Sequence, residues 1–248
     1  MIELFDSNVR LGVPNKCVPG EPTSVEGLLA ELRRLSIAQA LVRHRLALET
    51  GPVAANHRIL EELHSTQALL ATWSLLPEST RETGDPAETV DRMIRLGVRA
   101  VWLYPKTHSY TLRDWCAGSL LTALEDRRVP VFLLFDEVVP DELAELLDRH
   151  RRLNVVLSNV NYRTNRWLYG LFARYPSLRM DLGAPHSLSG FVEQVVKRFG
   201  PERLLFGSGF PEHEIGPAVS YLLYAEISDD DKQLIARVNL HNLLGAVR

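Results

Sequence analysis

Only two cysteines, Cys17 and Cys116, occur in the 248 residues. They stand far apart and in no metal-type spacing, which argues against a disulfide framework and suits reduced thiols with structural roles. No apolar run approaches the roughly 18 residues that a membrane-spanning helix needs. The amino terminus lacks the basic segment and apolar core of a secretory signal, so a cytoplasmic location is expected. An excess of one charge is missing too: 28 Lys and Arg against 31 Asp and Glu leave a net charge of -3. Without a blanket of positive potential, neither nucleic acid nor a membrane surface is expected as a partner. No repeat or low-complexity tract points to a scaffold. What remains is a globular composition, 46% hydrophobic and 24% charged, long enough for one large barrel or two small domains.

What is present alternates. Short apolar strands are read at the amino terminus and at 38–42, 69–75, 100–103, 131–135, 154–157, 178–180 and 204–206. Helical spacing fills the intervals: a helix from the Thr23-Ser24-Val25-Glu26 cap to Leu35, then 52–64, 86–96, 114–126, 141–149, 166–175 and 191–199, with closing helices at 217–224 and 229–244. The stretch from Pro77 to Pro86 is a solvated loop, and Pro19 belongs to another after the first strand. Asp229-Asp230-Asp231 behind Ser228 read as a helix start, not a metal site. Eight strands, apolar on both faces and separated by helices, predict an α/β (β/α)8 TIM barrel as one domain over 1–248. An open doubly wound sheet would carry a Gly-rich turn after strand one, where Asp6-Ser7-Asn8 stands instead. The working face is then the carboxyl ends of the strands.

The first strand opens into polar groups. Ile2, Leu4 and Phe5 favour a buried pleat, and Asp6, Asn8 and Arg10 follow at every second position, which places all three on one face. Arg10, Arg43 and Lys106 at three strand exits suit a cradle for a carboxylate or phosphate, or are structural and surface cations. Asp6 and Asp136 are the acids expected in the mouth, as a general base or paired with Arg10, and Glu212 follows the last strand. Asn8, Asn159 and Asn161 can orient a polar substrate or close loops. His44, His108, His186 and His213 lie in exit loops and would have to join Asp6 or Asp136 to hold a metal. Tyr162, Trp73 and Tyr104 either wall a pocket or finish the core.

The opening Asp6-Ser7-Asn8-Val9-Arg10-Leu11-Gly12, the fifth-strand Pro130-Val131-Phe132-Leu133-Leu134, the segment Leu204-Leu205-Phe206-Gly207-Ser208-Gly209-Phe210-Pro211 and the tail Asn239-Leu240-His241-Asn242-Leu243-Leu244-Gly245 resemble the amidohydrolase-related metal-dependent hydrolases and decarboxylases. The resemblance implies a barrel whose first strand ends in a His-x-His pair holding a divalent ion; here those positions are Asn8 and Arg10. The family's fifth-strand His falls near Leu134, its sixth-strand His on Asn159 and its catalytic Asp on Gly209. A zinc site needs three or four converging N, S or O ligands, and arginine is none. The expectation is therefore an amidohydrolase-like barrel for a small polar or anionic substrate, of hydrolase or lyase type, without a metal cofactor. Two alternatives stand: an inactive barrel binding a metabolite or partner, and a hydrolase whose zinc or other divalent metal has relocated ligands. A homo-oligomer is left open.

Overall fold

A computed structural model describes residues 2–14 and 20–248. Cys17 and Pro19 lie outside the described residues. Apolar residues on both faces of each strand produce nine parallel strand segments there: β1 (Leu4–Leu11), β2 (Ile37–His44), β3 (Leu69–Ala71), β4 (Trp73–Ser74), β5 (Val101–Leu103), β6 (Val131–Leu134), β7 (Val155–Ser158), β8 (Leu178–Leu182) and β9 (Leu204–Phe206). They pair in the order β1-β2-β3 and β4-β5-β6-β7-β8-β9. The stretch read as one strand over 69–75 is interrupted at Thr72. Its amide donates to Val42 O (2.9 Å), and the amide of Trp73 donates to Ala100 O (3.2 Å), so the chain passes its hydrogen bonds from one neighbour strand to the other.

At the opposite seam, Arg10 N donates to Phe210 O (2.8 Å) and Gly209 N to Asn8 O (3.0 Å), around a parallel bridge between Val9 and Phe210. The segment after β9 thereby reaches β1. With β3 and β4 counted as one interrupted strand, the result is the eight-stranded (β/α)8 barrel that the strand-helix rhythm predicts.

Period-two alternation sorts the core into two clusters. Val101, Leu103, Val131, Leu133, Val155, Leu157, Leu204 and Phe206 point out against the helices. Their neighbours Trp102, Phe132, Val156 and Leu205 join Phe5 and Leu41 in a second cluster that fills the ring. The helices begin where their sequences say they should. Ser24, Asp85 and Ser228 side chains accept from Gly27 N, Glu88 N and Asp231 N, at 3.2, 3.0 and 3.1 Å.

One closing helix was expected over 229–244. The structure instead has Asp229–Gln233, a wider π turn at Leu234–Val238, and Asn239–Gly245. Beyond that turn, Asn239 Nδ2 donates to Pro201 O and Leu204 O, both at 2.9 Å, tying the tail to the foot of β9. Leu240, Leu243 and Leu244 then join the inner cluster.

The simple alternation expected of β1 does not hold. Asp6 pairs with Ala40 but Val9 with Val42, so β1 carries one extra residue between them. Such a bulge reverses the facing of everything beyond it. Phe5 faces the inner cluster before the bulge, while Val9 and Leu11 face outward after it. Asn8 and Arg10 are thus delivered to the mouth, and Asp6 is not in line with them.

Candidate functional site at the barrel mouth

Three strand ends supply the centre of the mouth. Arg43, at the end of β2 and almost wholly buried, lies with its guanidinium 4.9 Å from the centre of the Trp102 ring. Its Nε donates to Asn8 Oδ1 (3.2 Å) and its Nη2 to Glu212 Oε2 (2.9 Å). Arg10 Nη1 donates to the other oxygen, Glu212 Oε1. Asn8 Nδ2 continues the network to Asn159 Oδ1 (3.3 Å). Burial works to raise the Glu212 carboxyl, but Arg43 and Arg10 outweigh it and hold the group below the usual carboxylate range. The Glu212 side chain is 26% exposed, so this triad stands at the edge of solvent.

Three of the positions that the resemblance assigns to metal ligands gather here. Asn8, Asn159 and Gly209 are neighbours: a Cβ on Gly209 would stand 2.9 Å from Asn159 Oδ1. Gly209 adopts φ +74°, a left-handed conformation that disfavours most side chains. Leu134 belongs to the apolar inner cluster with Trp102 and Tyr104.

These residues do not fit a divalent ion. Asn8 Oδ1 accepts from a guanidinium, Asn159 Oδ1 accepts from an amide, Leu134 and Gly209 offer no donor atom, and two cations face the same space. Among the described residues, no three His, Cys, Asp or Glu side chains come together in a way that could hold a metal.

The histidines disperse instead of converging. His44 Nδ1 accepts from Leu46 N (3.2 Å), and its Nε2 lies 3.5 Å from Glu62. His108 Nε2 contacts Ala47 O (2.8 Å), and His186 Nε2 contacts Asn165 Oδ1 (2.8 Å). His213 lies beside Gly209 at the mouth, and His44 lies beside Gly12. Burial lowers His186 to about 4, so it stays neutral in the fold. Its contribution to stability is complete above the unfolded histidine pKa of about 6.5 and drains away as pH falls towards 4. Thermal unfolding of wild type and His186→Phe between pH 4 and 7 should show the wild type losing more stability on acidification.

Other expected site residues lie elsewhere. Asp136 is exposed. The 3-10 turn Phe135–Glu137 rotates the chain after β6, so Glu137 is the buried acid, accepting from Thr107 N (2.9 Å) and Thr107 Oγ1. Lys106 Nζ donates to the Asp136 carbonyl (3.3 Å) and remains outside the triad. Tyr162, 44% exposed, lies on the turn after β7, where Asn161 accepts from Arg163 N (3.0 Å) and so closes the loop. Trp73 and Tyr104 are buried.

Asp6 neither pairs with Arg10 nor enters the mouth. Its Oδ1 accepts from Asn8 N (3.0 Å) and Ser208 N (2.9 Å), which holds the β1 bulge against the segment after β9. Asp181, on β8, is also buried and escaped the sequence reading because Leu178 to Met180 reads as plain core strand. Burial raises Asp6 to about 6; burial, helped by the charge of Asp6, raises Asp181 to about 7. Gly207 packs against Ser7 and Asp181. A Cβ there would come within 2.5 Å of Ser7 Oγ and 2.7 Å of Asp181 Cβ. Gly207→Ala should therefore cost about 1–3 kcal/mol in a urea unfolding experiment.

The comparisons agree with this architecture. Solved structures match over nearly their whole length. An uncharacterised TIM-barrel protein from Bordetella bronchiseptica is 18% identical, with a TM-score of 0.78 and 99% of each chain covered. A 2,6-dihydroxybenzoate decarboxylase complexed with 2,6-dihydroxybenzoate is 15% identical, with a TM-score of 0.71 over 99% of this chain and 100% of that one. A dihydroxybenzoic acid decarboxylase from Polaromonas sp. JS666, with bound manganese and the inhibitor 2-nitroresorcinol, is 14% identical, with a TM-score of 0.73 over 99% and 97%. At these identities the likeness shows the fold. No curated protein sequence matches the chain. The amidohydrolase family model matches residues 20–244, a span that omits β1 but takes in every other strand. On that match and on this barrel, the chain belongs to the amidohydrolase family.

Proposed function

We propose that this chain recognises a small carboxylate-bearing molecule at the barrel mouth through Arg10 and Arg43, without the divalent ion of its relatives. The observation that carries the reading is Glu212, a carboxylate already gripped from both sides by two guanidinium groups. One guanidinium N–H directed at each oxygen of a carboxylate is a charge-assisted arrangement suited to such an anion. Because the resident carboxylate comes from a partly exposed side chain, an incoming anion displaces it by a rotation of Glu212 and no change in the strands. Asn8 and Asn159 flank the place with amides, and Trp102 supports Arg43 from beneath. The ligands of two structural neighbours, 2,6-dihydroxybenzoate and 2-nitroresorcinol, are small substituted aromatic rings, which makes aromatic carboxylates the first class to try.

The binding-module reading is preferred here to the hydrolase or lyase reading. A general base must reach the bound molecule in its basic form. Glu212 is held ionised by two cations, which makes it a weak base, and Asp6 and Asp181 lie beneath the mouth with essentially no exposure.

Calorimetric titration with benzoate and its hydroxylated derivatives tests the proposal. Arg10→Ala should weaken binding roughly 10- to 100-fold, in line with about 1.5–3 kcal/mol for a charged hydrogen bond. Glu212→Gln should tighten it by removing the internal competitor's charge. Affinities indifferent to both substitutions would overturn the reading.

A further inference from the structure

Beneath the triad, hydrogen bonds form a chain that is open at one point. Asp6 Oδ1 accepts from Asn8 N (3.0 Å), Asn8 Nδ2 donates to Asn159 Oδ1 (3.3 Å), and Asn159 N donates to Asp181 Oδ1 (3.3 Å). The remaining oxygens, Asp6 Oδ2 and Asp181 Oδ2, are buried and make no well-aligned hydrogen bond among the described residues, while the Ser208 and Ser158 hydroxyls lie close enough to favour their ionised forms. The two carboxyl groups flank Gly207 and Ser208: Asp6 Oδ1 takes Ser208 N (2.9 Å), and Asp181 Oδ2 lies 2.9 Å from where a Gly207 Cβ would be. Ser7 and Ser158 hydroxyls beside them are buried and likewise make no well-aligned hydrogen bond among the described residues.

Among the described residues, no cation forms an ion pair with either carboxyl group. Arg43 from β2 is spent on Asn8 Oδ1 and Glu212, and Arg10 on Glu212. Arg179, lower on β8, donates to Asn154 Oδ1 (2.8 Å) and Ser177 O (3.3 Å) at the foot of the barrel. His213 stands beside Gly209 at the mouth, and Tyr104, just after β5, is a neutral phenol that burial keeps protonated. Two ionised carboxylates enclosed in this way would repel one another without compensation, which proteins avoid by protonating one.

We propose that the two buried carboxyl groups Asp6 and Asp181 retain one proton between them near neutral pH, and that this pair positions Asn8 and Asn159, the two amides of the mouth. A Cβ on Gly207 would meet Ser7 Oγ at 2.5 Å and Asp181 Oδ2 at 2.9 Å, so the backbone after β9 packs closely against the Asp181 carboxyl. Burial raises both carboxyl groups, Asp6 to about 6 and Asp181 to about 7, in accord with one proton retained near neutrality. The inference stands on its own hydrogen bonds and does not rest on what the mouth binds.

The sign of the pH effect follows from linkage. Unfolded aspartate releases its proton near pH 4, while the folded pair keeps one to about pH 7, so the stability contributed by the pair falls as pH rises from 4 through 7. Asp181→Asn supplies a permanent N–H in place of the proton. Its unfolding midpoint, relative to wild type, should rise steadily between pH 5 and 8. His186 titrates in the opposite sense in both proteins and cancels in that difference. Asp181→Ala, which cannot close the chain, should be destabilised at every pH.

Infrared difference spectroscopy of wild type labelled with carboxyl-13C aspartate needs no variant. It should show a protonated, isotope-shifted carboxyl band at pH 6.5 that disappears above pH 8. Absence of that band, equal pH profiles for Asp181→Asn and wild type, or an equivalent of metal ion that co-purifies with wild type and is lost from Asp181→Asn would each overturn the proposal.

Discussion

Arg43→Ala is expected to lose about 3–5 kcal/mol of stability in urea unfolding, the cost of breaking a buried ion pair from one side, and to lose carboxylate binding with it. The guanidinium does three things that nothing nearby replaces. It satisfies Asn8 Oδ1 (3.2 Å), neutralises Glu212 (2.9 Å) and covers the Trp102 face (4.9 Å). Alanine leaves a cavity over the indole and an unpaired amide oxygen, and Glu212 keeps Arg10 alone. Arg43→Lys separates the contributions. A point charge on a thinner stem restores neutralisation but not the planar two-sided contact, so lysine should recover part of the stability and little of the affinity. Full recovery by lysine would mean that charge alone, not fork geometry, organises the mouth.

A comparable loss, at least about 3 kcal/mol, is expected for Arg203→Ala, at the other end of the barrel and without any effect on ligand affinity. Arg203 Nη1 donates to Tyr175 O (2.7 Å) and Leu178 O (3.1 Å), Nη2 to Phe172 O (3.2 Å) and Nε to Phe199 O (3.4 Å). It binds together the end of helix Asn165–Arg174, the start of β8 and the end of helix Phe191–Phe199. Removing one cation strands several carbonyls at once, and hydrogen bonds to charged donors are worth about 1.5–3 kcal/mol each. Hydrogen exchange should report faster opening around 172–178 in the variant, with the mouth unchanged. If the fold tolerates the substitution within 1 kcal/mol, water must replace those contacts.

The two arginines also mark where the sequence stops being readable. Strand-helix alternation is local, and elements such as Asp114–Asp126, Phe191–Phe199 and Leu204–Phe206 fall on the expected residues because apolar spacing and capping side chains act within a few positions. The mouth depends on shifts of a single residue. One extra residue in β1 moves Asp6 away from Asn8 and Arg10, and one 3-10 turn exchanges Asp136 for Glu137. Neither leaves a pattern in the amino acids, since each is settled by which hydrogen bonds close across strands. Asp181 was hidden for a related reason: a single acid at the end of an apolar strand reads as a terminus until its burial is seen. The Arg10–Glu212–Arg43 contact joins residues from opposite ends of the chain, a pairing that no local rule reaches. The residues at the positions that the resemblance assigns to metal ligands, Asn8, Arg10, Leu134, Asn159 and Gly209, are identities and not geometries, and so can be read from the sequence directly.

Titrating the protein calorimetrically with 2,6-dihydroxybenzoate in excess EDTA, and again with manganese, addresses directly whether guanidinium and amide groups have taken over the mouth. The same affinity is predicted in both buffers, weakened by Arg10→Ala in each. Binding that appears only when manganese is supplied would contradict it.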